Sequence, residues 1–383
     1  MTTIPASLVV AYGPLSMGES AGHTVAELEL VEHDAVDVEW LDAALRGSGA
    51  LDDAELVGFD AEPVGTGQVG HNIRYTLRYD HPPPDAPATV IGKFPSPDPT
   101  SRSTGVAIGT YLKEGRFYRE LASGLDVRAP RCFGVALDET AGLSVLVLED
   151  LAPADQGDQI SGCPPEGAAA AIAEAAALHA PRWGDPRLLD HAWLSAPSQE
   201  GTDGIQQIYQ AVWPGFVERY AHRLDDDVLT LGVRFGVGLP GWAARRREGP
   251  LTVVHGDFRL DNLLFRPGGH RVGVVDWQTV ALGIGTDDVS YLLGAGLLPG
   301  DLRDHEVELV RGYHEDLVRR GVPDYPWERC WDDYVRFSLS GLQMAVVASM
   351  IVRQDDRGDE MFCVMAERHA EQALRLGADR FLG

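Results

Sequence analysis

Lysine is nearly absent from this chain: Lys93 and Lys113 stand alone among 32 basic residues that are otherwise all arginine. Cysteine is scarce as well, and Cys132, Cys163, Cys330 and Cys363 lie far apart with no CxxC pairing. That spacing argues against a disulfide framework or a cysteine-built zinc site and suits reduced thiols in a cytoplasmic setting. No segment offers eighteen consecutive apolar residues, and the N-terminus lacks a basic stretch followed by an apolar core and a small-residue cleavage site. Neither a membrane partner nor an export signal is expected. Positive charge is short overall. A net charge of −26 with a pI near 4.7 opposes nucleic acid and anionic lipid, so only a local cationic site suits a phosphate group.

What is present is ordinary for a globular enzyme, with 44% hydrophobic and 23% charged residues in 383. That length exceeds one compact core and predicts two lobes. Residues 1–36 contain Gly13 and Gly22 and no clear period, and are read as an arm that packs on something larger. The segment DVEWLDAALRGSG places Trp40, Leu41, Ala44 and Leu45 on one helical face, after an aspartate cap and before Gly47. The period then changes to two in VGFDAEPV, HNIRYTLRY and ATVIGKF, which predicts three antiparallel strands. Helical spacing returns from Tyr111 to Leu121, LSVLVLED reads as a buried strand, and the chain after Pro164 is mainly helical. The expected fold is therefore α+β and bilobal: a sheet-rich N-lobe over 37–150 and a larger helical C-lobe over 151–383.

Gly65, Gly67 and Gly70 form a G-x-G-x-x-G. A dinucleotide-binding fold needs a helix directly after these glycines, whereas IRYTLRY alternates like a strand. A glycine-rich hairpin turn instead lets backbone amides lie over nucleotide phosphates; a merely flexible turn is the plainer alternative. Lys93 sits in VIGKF on the third strand, where a buried ammonium is costly without an anionic partner. The following helix offers Glu114 and Glu120, and Glu114 shares a face with Phe117, Tyr118 and Leu121, so it is the partner that points inward.

The strongest signal is VVHGDFRLDNLLF. Asp257 is followed five residues later by Asn262, and Asp276 comes fourteen residues after that, closing VGVVD. Phosphoryl transfer needs a base or orienter for the acceptor hydroxyl and hard oxygen ligands for magnesium. Asp257 suits the first role, Asn262 and Asp276 the second, and Arg259 either approaches the γ-phosphate or is a solvated loop arginine. A metal hydrolase using His255, Asp257, Asp261 and Asp276 is a rival, but it leaves Lys93, Glu114 and the glycine turn without a task. His255 reads as a loop histidine fixing the backbone around Asp257, and His179 as meeting the last-turn carbonyls of its own helix or packing under that loop. Asp288 is expected to cap a helix and hold the loop, Asp287 to be solvated, and Trp213, Phe216 and Tyr220 to be core.

GTGQVGHNIRYTLRY, VIGKFPSPDP, YLKEGRFYREL, LVLEDL, LHAPRW, HGDFRLDNLLF and VDWQ occur in an order and spacing that resembles the aminoglycoside phosphotransferase and choline kinase superfamily, closest to its ecdysteroid-kinase-like branch. The resemblance runs from about Trp40 to Leu293. It implies a protein-kinase-like fold with ATP in the cleft, Lys93 and Glu114 as nucleotide anchor, Asp257 as catalytic aspartate, and Asn262 and Asp276 as Mg2+ ligands. It further implies that LVLEDL is the hinge, with main-chain groups around Glu149 and Leu151 meeting the adenine. Trp277 and Gln278 follow Asp276 where protein kinases carry Phe and Gly, which points to a hydroxylated small molecule rather than a protein as acceptor. The acidic loop with Asp155 and Asp158 would suit a cationic acceptor, as would a plain solvated surface. A nucleotide-binding pseudokinase remains the alternative to an active kinase.

Overall fold

The structure is a computed structural model that describes residues 24–51, 54–65, 70–81, 86–269 and 271–382. Its first lobe is built on a six-stranded sheet, in the order β1-β5-β6-β4-β3-β2. Along the chain run β1 (Ala26–Glu27), helix α1 (Val38–Gly47), β2 (Leu56–Val64), β3 (Gly70–Tyr79), β4 (Thr89–Pro95), helices α2 (Pro99–Ile108) and α3 (Thr110–Arg116), and then β5 (Cys132–Asp138) and β6 (Leu143–Glu149). The three strands read from alternation are β2, β3 and β4, paired antiparallel. β1 is a departure: it lies inside the segment read as an arm, yet it pairs parallel with β5. The rest of that arm, up to residue 23, lies outside the described residues.

Because side chains alternate across a strand, β4 separates its two duties. Val90 and Phe94 point into a small core with Leu41, Ala44 and Leu45 of α1. Ile91 and Lys93 take the other face, opposite Leu148 and Leu146 of β6. α1 starts where the sequence places it, with the Asp37 carboxylate accepting the Trp40 N–H at 2.8 Å. The single helix expected from Tyr111 to Leu121 is two structures: α3 ends at Arg116 and one π-turn covers Phe117–Leu121. The wider turn lets Phe117, Tyr118 and Leu121 all be buried. α2 was not legible, since PTSRSTGVAI has little apolar periodicity; Gly109, at φ 73°, breaks it from α3.

The second lobe contains β7 (Asp155–Gln156), α4 (Pro165–His179), α5 (Gln199–Tyr220), α6 (Asp226–Ala244), β8 (Thr252–Val254), β9 (Leu263–Phe265), β10 (Val272–Val274) and β11 (Ala281–Gly283). After these come α7 (Thr286–Gly296), α8 (Pro299–Arg319), α9 (Trp327–Phe337), α10 (Ser340–Ile351) and α11 (Asp356–Arg375). β9 pairs with β10 and with β7, and β8 pairs with β11. Two short ladders therefore present the loops around Asp257 and Asp276 side by side. α7 is buried along its whole length, so it is the internal post of this lobe. Phe216 and Tyr220 are buried and Trp213 stacks on Phe216, as expected for core residues. The run Trp327–Ile351 is long and apolar enough to cross a membrane, but 67% of its most apolar window is buried inside the protein, which is the behaviour of core helices. The large core is continuous from Phe258, Trp277 and Leu292 to Phe117, Leu146 and Leu148 beneath the sheet.

Candidate active site

The sheet and the helical lobe meet at Lys93. Its ammonium donates to Glu114 at 2.7–2.8 Å and to Asp276 Oδ1 at 2.7 Å. Burial opposes the charge on Lys93, but Asp276 and Glu114 outweigh it and raise its pKa above the usual lysine value. Partial burial disfavours the Asp276 carboxylate, yet the neighbouring Lys93 charge carries its pKa below the usual range. Burial pushes the Glu114 carboxyl up, while Lys93 and the Trp277 N–H hold its charged form. Glu120, the helix's other carboxylate, turns away to His191 and Trp193.

Gly70 begins β3 directly over this lysine. A Cβ there would stand 3.4 Å from Lys93 Cε and 3.6 Å from Gln278 Nε2, so the missing side chain keeps the backbone close to the ammonium. Gly65 has φ +76°, the left-handed region a hairpin turn exploits. Gly67 lies outside the described residues.

The loop from His255 to Asn262 is held by its own side chains. Asp257 Oδ2 accepts from Asn262 Nδ2 at 2.9 Å and from Arg259 Nε at 3.0 Å. Asn262 Nδ2 also reaches the Asp257 carbonyl at 2.9 Å, so the nitrogen side of the amide is turned to Asp257. The Asn262 carbonyl accepts from Val275 N at 3.0 Å, tying it to the residue before Asp276. Asp276 itself has φ 68°, an uncommon left-handed conformation for a non-glycine residue, and its side chain is 39% exposed. Such outliers concentrate at functional sites.

His255 is fully buried. Its Nδ1 accepts from Asp257 N at 3.3 Å and its Nε2 faces the Val275 carbonyl at 3.0 Å, so the ring fastens the Asp257 loop to the Asp276 loop. Asp288 does not cap α7, whose first residue is preceded by Gly285. Its carboxylate accepts from His255 N at 2.7 Å and Gly256 N at 3.0 Å, and meets His179 Nε2 at 3.2 Å. Burial disfavours that charge, but the His179 contact and the loop amides lower its pKa. Asp287, expected in solvent, is instead buried and paired with Arg246. Adjacent helical positions face different sides, and the sequence pattern did not reveal that an arginine waited on the second side.

Arg259 does not stand free for a phosphate. It bonds Asp257, Asp261 Oδ2 at 3.0 Å and Met361 Sδ. Asp261 also receives Arg357, which shares itself with Asp158. At the hinge, Glu149 sends its carboxylate to Arg128 and to Arg131 N, and its own N–H donates to the Arg131 carbonyl at 2.8 Å. That amide is therefore committed within the protein. Leu151 lies against β10, where a Cβ on Gly273 would collide with it, so the segment after the hinge folds over the strand leading to Asp276. Sequence reasoning missed Tyr291, whose hydroxyl donates to Asp257 Oδ1 at 3.0 Å. Its spacing, three residues after Asp288 on the same helix face, was the available signal.

Among the described residues no group of three or more His, Cys, Asp or Glu side chains is placed to hold a metal ion. The four cysteines are free, without disulfides.

Two curated relatives match short stretches. Acyl-CoA dehydrogenase family member 10 of Mus musculus is 39% identical over 79 residues, 20% of this chain and 7% of its own. The probable acyl-CoA dehydrogenase IBR3 of Arabidopsis thaliana is 33% identical over 102 residues, 23% of this chain and 12% of its own. The chain thus spans about a tenth of the length of those relatives. Among solved structures, choline kinase from Cryptosporidium parvum Iowa II is similar over 89% of this chain and 95% of its own, with TM-score 0.52 and 9% identity. The GDP complex of a mutant aminoglycoside 2'-phosphotransferase-IIIa covers 90% and 100%, with TM-score 0.51 and 13% identity. These likenesses establish the bilobal, protein-kinase-like fold. The model of the phosphotransferase enzyme family (APH) matches residues 101–329, more than half of the chain and the whole stretch from Glu114 to Tyr291, and the chain belongs to that family.

Proposed function

We propose that this chain transfers the γ-phosphoryl group of ATP, with magnesium, to a hydroxyl group of a small molecule. The observation that carries the reading is the three-way contact of Lys93 with Glu114 and Asp276, one residue from the sheet, one from its helix and one from the helical lobe. A compact ammonium held by two carboxylates at a lobe junction is suited to the α- and β-phosphates of a nucleotide. The glycine at position 70 keeps the backbone above it clear.

The donor set suits a small hard dication. Asp276 and the Asn262 amide oxygen would hold magnesium, which takes its remaining ligands from phosphate oxygens and water. When bound, the ion would neutralise charge on the phosphates. The protein's own work is then positional. Asp257, with Oδ2 fixed by Asn262 and Arg259, orients the acceptor hydroxyl and takes its proton. Arg357 pairs with Asp158 and, with Arg259, with Asp261, so part of the acidic loop's charge is already offset within the protein.

The test is magnesium-dependent ADP release, measured alone and against a panel of small alcohols, alongside thermal stabilisation by Mg·ATP and Mg·GTP. Stabilisation should follow RT ln(1 + [L]/Kd), and one class of hydroxyl compound should accelerate release. Stabilisation with no turnover across the panel would instead identify a nucleotide-binding regulator.

A further inference from the structure

We infer that Tyr291, a residue of the internal helix α7, is a positioning residue for Asp257, holding the one carboxylate oxygen that no residue of the catalytic loop itself holds. The inference rests on the phosphotransfer reading above and deepens it.

The hydrogen bonds of Asp257 divide cleanly. Oδ2 is fixed from within its own loop by Asn262 at 2.9 Å and Arg259 at 3.0 Å. Oδ1 receives the Tyr291 hydroxyl at 3.0 Å, from a residue 34 positions away. A carboxylate held at one oxygen only can rotate about its Cβ–Cγ bond, whereas one held at both has a fixed plane. An aspartate that must meet a hydroxyl needs the second arrangement, because misalignment of the base costs rate even where binding is intact. Tyr291 leaves a lone pair on Oδ1 for the incoming proton, since an ionised carboxylate oxygen accepts more than one bond.

Three features fit Tyr291 to this task. Its helix is buried throughout, so the phenol is mounted on an element packed on every side. The same helix carries Asp288, which grips the loop's backbone at His255 and Gly256; α7 thus fixes the main chain and the reactive side chain together. Finally, the ring lies flat against His369 of α11, with centroids 5.5 Å apart and planes 9° apart. His369 is itself fully buried, in a slot where a Cβ on Gly294 or Gly341 would overlap its ring. Burial lowers the His369 pKa to about 3, so the platform stays uncharged. Burial, and then the charge of Asp257, pushes the Tyr291 phenol well up, so it remains a donor over the whole working range.

The test compares Tyr291→Phe, Asp257→Asn and the double variant in magnesium-dependent ADP release, with Mg·ATP thermal stabilisation as a measure of folding and nucleotide binding. Phenylalanine keeps the stack on His369 and removes only the hydroxyl. Loss of one hydrogen bond to a charged group corresponds to about tenfold in turnover. The expected result is a tenfold fall in kcat for Tyr291→Phe, KM for ATP within about twofold of wild type, and a double variant no slower than Asp257→Asn alone. A merely structural role would move the thermal midpoint and leave the effects of the two substitutions additive. Full turnover in Tyr291→Phe, or additivity with Asp257→Asn, overturns this inference while the phosphotransfer reading stands. A wild-type chain that turns over no nucleotide defeats both.

Discussion

The indole of Trp277 lies flat on the ring of Phe117, with centroids 3.9 Å apart and planes 9° apart. Phe117 opens the π-turn that follows the helix of Glu114, and Trp277 directly follows Asp276. The Trp277 N–H donates to Glu114 Oε1 at 3.1 Å and its indole N–H to the Val274 carbonyl at 3.1 Å. One residue, through its ring and its backbone N–H, therefore ties the helix of Glu114 to the loop of Asp276. The indole is thus held by the stack and by one hydrogen bond of its own, and the backbone beside it by a second.

Removing it should cost stability and coupling at once. Trp277→Ala is expected to destabilise the chain by about 3–5 kcal/mol through the cavity left behind, and Trp277→Phe by less, because the stack on Phe117 is retained. Chemical denaturation checks both. An alanine variant within about 0.5 kcal/mol of wild type would show that the stack is incidental.

Lys93 answers to two carboxylates at once, and a Cβ at Gly70 would already touch its Cε at 3.4 Å. A guanidinium carries the same charge but is larger, planar and forked. Lys93→Arg should therefore lower magnesium-dependent turnover by about tenfold or more and weaken Mg·ATP stabilisation, despite conserved charge. Unchanged kcat and KM in that variant would refute the claim that a point charge is required.

These two sites show what was and was not legible in the letters. The Lys93–Glu114 pair could be reached because a lysine in an apolar strand demands an anion, and helical spacing chose between two glutamates. The contact of Lys93 with Asp276 joins residues 183 apart, and no local period encodes such a distance. Asp288 was read from TDDVSYLL as a helix cap that also holds the loop, of which only the second is found, and its neighbour Asp287 was misplaced in solvent. The reason is tertiary: α7 is surrounded on every side, so polar residues that pattern suggests are outside must be paired inside. Tyr291 drew no reading at all, because its partner Asp257 lies 34 residues away. The π-turn at Phe117 was hidden because one extra residue in a turn leaves apolar spacing almost unchanged.

Asp288 supplies a pH dependence whose sign can be worked out. Its folded pKa is lowered, so its contribution is present above the ordinary carboxylate range and disappears as pH falls through the folded value. The melting temperature should thus drop on acidification below about pH 4. Asp288→Asn should be less stable at neutral pH by about 1–3 kcal/mol, because the amide cannot accept from His255 N, Gly256 N and His179 together. The gap between variant and wild type should narrow as the wild-type carboxyl is protonated. A gap constant from pH 7 to pH 3 would remove the charge of Asp288 from the account.

Asp257 is the residue on which chemistry and binding should separate. Lys93 and the glycine turn are assigned to the nucleotide, and Asn262 and Asp276 to the metal, so none of them needs the charge of Asp257. Asparagine keeps its size and can still accept from Arg259 or Tyr291, but it cannot take a proton from an alcohol. Asp257→Asn is therefore expected to lower acceptor-stimulated ADP release by about 100-fold or more while Mg·ATP stabilisation stays within error of wild type. Both readings come from one preparation, which rules out misfolding as the cause of lost rate. Equal turnover in the variant would show that the proton leaves by another route and that Asp257 serves only to hold its own loop.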